Sequence, residues 1–227
     1  MQRKKTLLWA TLIGAAAGAR LAVSGFHLPA GIPALEIDQA LRAQWQFAGV
    51  LLVWVIFSLY WEIAARGAAK DKAAESHASR GVHVFLTNAA VLLEMAPLRG
   101  LGRLVPISSA IMTAGLTISA AGLAFAIWAR FHLGANWSGR ITIKVDHRLI
   151  RSGPYRRLRH PIYTGILTMY AGTAVVTGTW LAAAGLAMAA IAYWRKVRLE
   201  EASLTEAFGA EYQAYRGQTW ALMPGLF

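Results

Sequence analysis

The sequence predicts an all-α, polytopic membrane bundle of five to six transmembrane helices with a cytoplasmic C-terminal amphipathic helix. Three observations carry this. Of the 227 residues, 56% are hydrophobic and only 15% charged, against about 45–50% and about 25% in an ordinary soluble domain. The apolar residues gather into runs close to the roughly 17–25 residues that cross a hydrocarbon layer. The positive charge is divided unequally among the loops between those runs.

The candidate spans are 6–24, 45–65, 82–98, 107–130, 161–178 and 179–194. Arg3, Lys4 and Lys5 precede the first run as they would a signal peptide. Arg20 interrupts its end, however, and Phe26-His27-Leu28-Pro29 is a poor cleavage site, so it is read as a retained helix. The last two spans touch at Gly178-Thr179, which predicts a tight hairpin. After them, residues 197–215 read as an amphipathic surface helix: Leu199, Leu204, Phe208, Tyr212 and Tyr215 recur at three-to-five spacing, with Glu200, Glu201, Glu206 and Glu211 between them.

Loop charge sets the orientation. With the N-terminus inside, the cytoplasmic segments hold three Lys or Arg in the N-terminal tail, four in 66–80, eight in 130–159 and four after residue 194. The opposite side has only Arg42, Arg99 and Arg103. The positive-inside rule therefore puts both termini in the cytoplasm. The net charge of +12 becomes a topological signal, and a nucleic-acid partner is not expected. Trp9, Trp45, Trp61, Trp128, Trp180, Trp194 and Trp220 fall near span ends, where interfacial belts form. There is no cysteine, which excludes disulfides and thiolate metal sites. Oligomeric state is not legible.

Two regions emerge. Residues 1–130 form an N-terminal four-span membrane region of mostly bland apolar helices, and 131–227 are dense in polar and aromatic residues. In the second region Gly153-Pro154 marks a turn. His160-Pro161 places proline at a first helical position, where its missing N–H costs nothing. That helix start would aim free amides at the cytoplasmic loop, which suits a carboxylate or another anion. A polar helix bearing Thr164, Thr168, Tyr170 and Thr173 and an acidic pair, Glu200-Glu201, converge on the same membrane face, predicting a cytoplasm-open pocket. Within the third span, Glu94 and the His83, Thr87 and Asn88 group could line a substrate tunnel, but Glu94 lies near an end and the interface reading is favoured for it. His132, His147 and His160 show no zinc-ligand spacing, so no metal is expected.

The ordered series Leu133-Gly134, Asn136-Trp137-Ser138, His147, Leu149, Ser152-Gly153, Tyr155, Arg159-His160-Pro161, Tyr163, Gly165, Glu200-Glu201, Leu204, Phe208-Gly209, Glu211-Tyr212, Tyr215 and Pro224 resembles the isoprenylcysteine carboxyl methyltransferase family. More broadly it is similar to membrane methyltransferases that include phospholipid N-methylating enzymes. The resemblance covers roughly residues 128–227.

It implies a membrane-embedded methyltransferase core at 131–227 that binds S-adenosyl-L-methionine at the cytoplasmic face, with S-adenosyl-L-homocysteine as product. By that likeness His147, Arg148, Leu149, Ile150, Tyr155, His160, Pro161, Ile162, Tyr163 and Glu200 line the cofactor. The implied acceptor is lipophilic or delivered by the lipid bilayer, with an isoprenylcysteine-like carboxylate favoured. Such a carboxylate arrives ionised and needs only a positioning cation, for which Lys196 and Arg198 stand beside the glutamates, with Arg195 next to them. An amine or thiol acceptor would instead need a base, and His160 or a glutamate such as Glu201 fits that role. Family members place an arginine beside the glutamates, and Lys196 or Arg198 occupies the matching position here. The competing readings are a membrane sterol-type reductase binding NADPH, against which the absence of a phosphate-binding glycine run counts, and a non-enzymatic membrane scaffold.

Overall fold

The computed structural model describes residues 34–66, 71–74, 76–96, 102–106, 108–134, 137, 142–144 and 149–225. The expected first span, 6–24, lies outside them. The body is helical: α1 (Ala34–Ala65), α2 (His77–Met95), α3 (Ser109–Leu133), α4 (Pro161–Thr177), α5 (Trp180–Phe208) and α6 (Ala210–Gly217). The exception to an all-α chain is a short antiparallel ribbon. β1 (Asp71–Ala74) follows α1, β2 (Thr142–Lys144) follows α3, and Asp71 pairs with Lys144 and Ala74 with Thr142.

Two segments, Trp45–Ala65 of α1 and Ser109–Leu133 of α3, are long and apolar enough to cross a membrane. The outward faces of four helices carry the large apolar side chains that a water-soluble bundle would bury. Leu52, Leu59 and Ile63 on α1, Phe85 and Leu92 on α2, Phe131 on α3 and Ile191 on α5 are all more than half exposed. Trp45 and Trp180 are exposed in the same way, as interfacial residues are.

The tightest packing joins α3 to α4. Without a hydrophobic drive between helices in lipid, association depends on close backbone approach through small residues. Gly122 and Gly165 provide it: a Cβ on Gly122 would lie 2.6 Å from the Gly165 carbonyl oxygen, and one on Gly165 would lie 2.7 Å from the Ala126 nitrogen. Polar side chains then tie the other helices in. The Trp54 indole of α1 donates to Thr173 Oγ1 at 3.0 Å, and the Tyr170 hydroxyl of α4 donates to the Thr87 carbonyl of α2 at 2.9 Å.

The expected hairpin is formed. Helix α4 stops at Thr177, Gly178 adopts φ 63°, and Thr179 caps α5 by accepting from the Ala182 amide. Two expectations change. The stretch 197–215 is not a separate surface helix: α5 runs unbroken from Trp180 to Phe208, and only after Gly209 does the short α6 begin. No glycine or proline interrupts α5 between Gly185 and Gly209, so the change from apolar to charged residues near Arg195 does not end the helix. Glu94 does not reach an interface either. It is 1% exposed, pressed against α5 where Gly185 leaves space for its Cγ.

Chain direction places the C-termini of α1 and α3, the N-termini of α2 and α4, the ribbon and the charged end of α5 together at one end of the bundle. The turn Gly178-Thr179 and residues 102–106 meet at the other, where Arg103 bridges to Thr179.

Candidate active site

The site lies at the charged end and is framed by three stretches of chain. The first is the approach to α4. After Leu149 and Ile150, a 3-10 turn (Gly153–Arg156) opens with Pro154 and leads into Leu158-Arg159-His160, all buried. Pro161 then starts α4. The first amide to bond inside α4 is that of Thr164, to His160 O. The amides of Ile162 and Tyr163 have no acceptor among the described residues, as the first turn of a helix requires.

The second stretch is the charged turn of α5, where Lys196, Glu200 and Glu201 follow Tyr193 at helical spacing. The third is the C-terminal tail. The amides of Arg159 and His160 donate to the carbonyls of Trp220 and Ala221 (2.8 and 3.0 Å), and the Trp220 amide donates back to Arg157 O at 3.0 Å. The Thr164 hydroxyl donates to the Leu222 carbonyl. Tyr215 from α6 adds a hydroxyl bond to the Tyr155 carbonyl at 2.7 Å. The tail is thus laced along residues 157–160 mainly by main-chain bonds, which hold it whatever its side chains.

The two adjacent glutamates are held differently. Glu201 is enclosed: Arg159 Nε is 2.6 Å and His160 Nε2 3.3 Å from its Oε1, and Arg216 Nε is 3.6 Å from its Oε2. Burial by itself would raise this carboxyl. The hydrogen bonds from His160 and Arg159 and the charges of those two groups outweigh that and hold it at about 2. Glu200 is more open, its side chain 32% exposed. It accepts the Tyr163 hydroxyl at 2.7 Å and lies 3.7 Å from His160 Nδ1, leaving carboxylate lone pairs for a further donor. Burial, followed by the Glu200 charge, pushes the Tyr155 hydroxyl well above its ordinary range, so Tyr155 is a neutral wall residue.

The aromatic rings are continuous. His160 stacks on Tyr163 at 5.5 Å and 4°, Tyr163 meets Tyr193 at 5.2 Å, and Lys196 Nζ stands 5.7 Å over the Tyr163 ring.

Of the residues singled out from the sequence, the structure brings together Tyr155, His160, Pro161, Ile162, Tyr163, Lys196, Glu200 and Glu201. Leu149 and Ile150 lead into this cluster, and Ile150 packs on the core. His147 and Arg148 lie outside the described residues. Arg198 is not part of the cluster: it is exposed, its guanidinium 6.0 Å over Trp194. Sequence reasoning missed Arg159 as a site residue. Its side chain holds Glu201 and also donates to the carbonyls of Arg216 (3.1 Å) and Thr219. The only local signal was its place before His160-Pro161.

The fold and site define a helical integral membrane protein with a carboxylate, histidine and tyrosine cluster at one end of its bundle. Residues 113–206 match the model of the isoprenylcysteine carboxyl methyltransferase family. A protein-S-isoprenylcysteine O-methyltransferase from Dictyostelium discoideum is 29% identical over 82 residues, covering 36% of this chain and 35% of that protein. A probable protein-S-isoprenylcysteine O-methyltransferase from Oryza sativa subsp. indica is 33% identical over 86 residues, covering 37% of this chain and 45% of its own. The matches thus span less than half the length of these curated relatives. The solved structure of a eukaryotic intramembrane Ras methyltransferase, itself an isoprenylcysteine carboxyl methyltransferase, superposes with a TM-score of 0.52 at 14% identity. It covers 97% of this chain and 95% of that one, a likeness of fold. By these matches residues 113–206 are similar to the isoprenylcysteine carboxyl methyltransferase family.

Proposed function

We propose that this protein is an integral membrane methyltransferase that uses S-adenosylmethionine and methylates the carboxylate of a lipophilic, isoprenylcysteine-like acceptor. The observation that carries the reading is the unequal fixing of the two glutamates: Glu201 is fully engaged by Arg159, His160 and Arg216, while Glu200 keeps an open side. This is the arrangement expected where one acid builds the site and its neighbour binds.

The residues present fit the methyl donor. The open carboxylate of Glu200 suits its ammonium group, and the unpaired amides of Ile162 and Tyr163 suit its carboxylate. The rings of Tyr155 and Tyr163 offer aromatic faces to a sulfonium, worth about 0.5–2 kcal/mol by desolvation. Leu149 and Ile150 lead into the cluster and add to the lining. When bound, S-adenosylmethionine supplies a methyl group already activated on sulfonium.

What the protein adds is placement and the exclusion of water. Arg159, Glu201 and His160 fix the start of α4, so the cofactor-facing groups are set before ligand arrives. The laced tail shields that side from solvent, and a dry site strengthens each charged contact within it. Alignment of two reactants is worth about 7–11 kcal/mol. An acceptor carboxylate is its own nucleophile, so it needs a cation but no base. Lys196 fits that role, lying buried over Tyr163, whereas Arg198 faces outward.

The basic site end and both termini face the cytoplasm in this reading, with the five to six spans expected from the sequence. Because the chain has no cysteine, an Arg156→Cys variant reports the topology directly: a membrane-impermeant thiol reagent should label it only from the cytoplasmic side.

Calorimetric titration of the purified protein with S-adenosylhomocysteine tests the function. Binding is expected in wild type and lost in Glu200→Ala and His160→Ala variants that stay folded. Binding of NADPH instead, or of neither ligand, overturns the reading.

A further inference from the structure

The C-terminal tail has two faces. Toward the bundle, Thr219 and Ala221 are buried, and main-chain bonds tie the tail to residues 157–160. Away from it, Trp220 is 43% and Met223 51% exposed. Extended chain turns successive side chains to opposite sides, so Trp220 points outward because its neighbours point in. The lacing runs through the Trp220 main chain and makes no use of the indole.

Cations stand beside that indole. The Trp220 amide donates to Arg157 O, and Leu158 bridges to Trp220. Arg156 and Arg157 are both exposed and have no carboxylate partner among the described residues. Their neighbours are committed: Arg151 pairs with Glu211, and Arg159 and Arg216 with Glu201. Two unpaired guanidiniums and two outward apolar side chains therefore share one surface.

Helix α3 sets the depth of this surface. It is long and apolar enough to cross a membrane, and it ends at Leu133 with Trp128 and Phe131 exposed in its last turns. Helix α4 runs against it in the opposite direction, Gly165 at Gly122 and Gly172 at Gly115, and starts at Pro161. Leu158, which bridges to Trp220, is three residues before that start. The surface thus lies where the helices emerge toward water, the depth at which indoles settle and arginines are drawn to anionic lipid.

We propose that Arg156, Arg157, Trp220 and Met223 form a docking surface for the anionic headgroups of the protein's own bilayer. The guanidiniums meet headgroup phosphates, and the indole and thioether rest at the acyl boundary. Charge complementarity alone would also suit an acidic protein; the apolar pair beside the cations at this depth favours lipid. Lipid held against this face braces the tail from outside, while residues 157–160 hold it from inside. The docking is independent of the reaction proposed above.

The chain has no cysteine, so Met223→Cys accepts a single nitroxide label. Its relative accessibility to oxygen and to a water-soluble nickel complex reports depth. In nanodiscs of phosphatidylcholine with phosphatidylglycerol, the label should be oxygen-accessible and shielded from nickel. In phosphatidylcholine alone, or in the mixed lipid at high salt, it should turn toward water, because salt screens exposed charges. Arg156→Gln with Arg157→Gln should lower the ratio of lipid-facing to water-facing label by about tenfold in the mixed lipid. Arg66→Gln, which removes an exposed arginine at the end of α1, should leave that ratio unchanged. The lipid and salt arms carry no arginine substitution, so they decide the matter even if the double variant fails to fold. A label equally deep in both lipids, or equally displaced by Arg66→Gln, overturns the docking surface. So does shielding by a soluble polyglutamate peptide and not by the anionic bilayer, which would assign the face to an acidic protein. None of these readouts involves S-adenosylhomocysteine, so failure here leaves the methyltransferase reading intact.

Discussion

Arg159 Nε lies 2.6 Å from Glu201 Oε1, with the two side chains only 3% and 10% exposed. The pair joins α5 to the residue preceding His160, and through the Arg216 and Thr219 carbonyls it also holds α6 and the tail. Removing one member of a buried ion pair leaves an uncompensated charge, which costs about 3–5 kcal/mol. Arg159→Leu should therefore lower the detergent-solubilised melting temperature strongly, and Glu201→Leu should do the same. The double variant should be more stable than the sum of the two losses implies, because it strands neither charge. Strictly additive losses would show that the two side chains act independently.

The same pair dictates an acid sensitivity. The Glu201 carboxyl is lowered from 4.5 to about 2 in the folded protein. Its contribution is therefore fully present above pH 4.5 and is lost as pH falls toward 2. By linkage a shift of this size corresponds to about 3 kcal/mol. Melting temperature measured between pH 5 and pH 2 should fall more steeply in wild type than in Glu201→Gln, which has no proton to take up. Parallel curves would mean that Glu201 does not titrate against Arg159 and His160.

Glycines in the helices divide into two kinds. Gly122 has the Gly165 carbonyl 2.6 Å from where its Cβ would be, whereas Gly81, exposed on α2, has nothing within 4 Å of its own. Gly122→Val forces α3 and α4 apart, and overpacking of this kind costs about 1–3 kcal/mol or more. Gly81→Ala only trades backbone freedom for helix propensity, a gain of up to about 1 kcal/mol. Thermal unfolding of the two variants should move in opposite directions. A loss in both would show that α2 needs Gly81 for a contact outside the described residues.

Much of this architecture was readable from local pattern. Apolar runs gave the end of α1 and both ends of α3 to within a few residues, though α1 starts well before the expected span, at Ala34; Gly178-Thr179 gave the hairpin, and Pro161 gave the start of α4. What escaped depends on partners distant in sequence. Arg159 owes its role to Glu201 and Thr219, 42 and 60 residues away, and no periodicity reports such a pairing. Glu94 was read by its distance from a span end, but its burial follows from Gly185 on another helix. The ribbon was invisible because β1, Asp71-Lys72-Ala73-Ala74, lacks β-branched residues and alternation; only its pairing makes it a strand. At the site, the Glu200-Glu201 pair was evident, while its division into one open and one enclosed carboxylate required the fold.

Lys196 and Arg198 present the same charge two residues apart on α5, and helical geometry sends them in different directions. Lys196 is buried beside Tyr163 and Tyr193, while Arg198 is exposed over Trp194. If the acceptor's carboxylate meets Lys196, removing that contact costs a charge-assisted hydrogen bond of about 1.5–3 kcal/mol, or about 10- to 100-fold in acceptor affinity. A labelled-methyl assay with N-acetyl-S-farnesylcysteine should show the acceptor KM rising by that order in Lys196→Met, whose side chain retains the apolar stem. The affinity for S-adenosylhomocysteine should stay near wild type. Arg198→Met should leave both quantities within about twofold, as expected of an exposed residue away from the site. The reverse pattern, with Arg198→Met impairing the acceptor and Lys196→Met silent, would move the acceptor to the outer face of α5 and away from the Tyr163–Tyr193 wall.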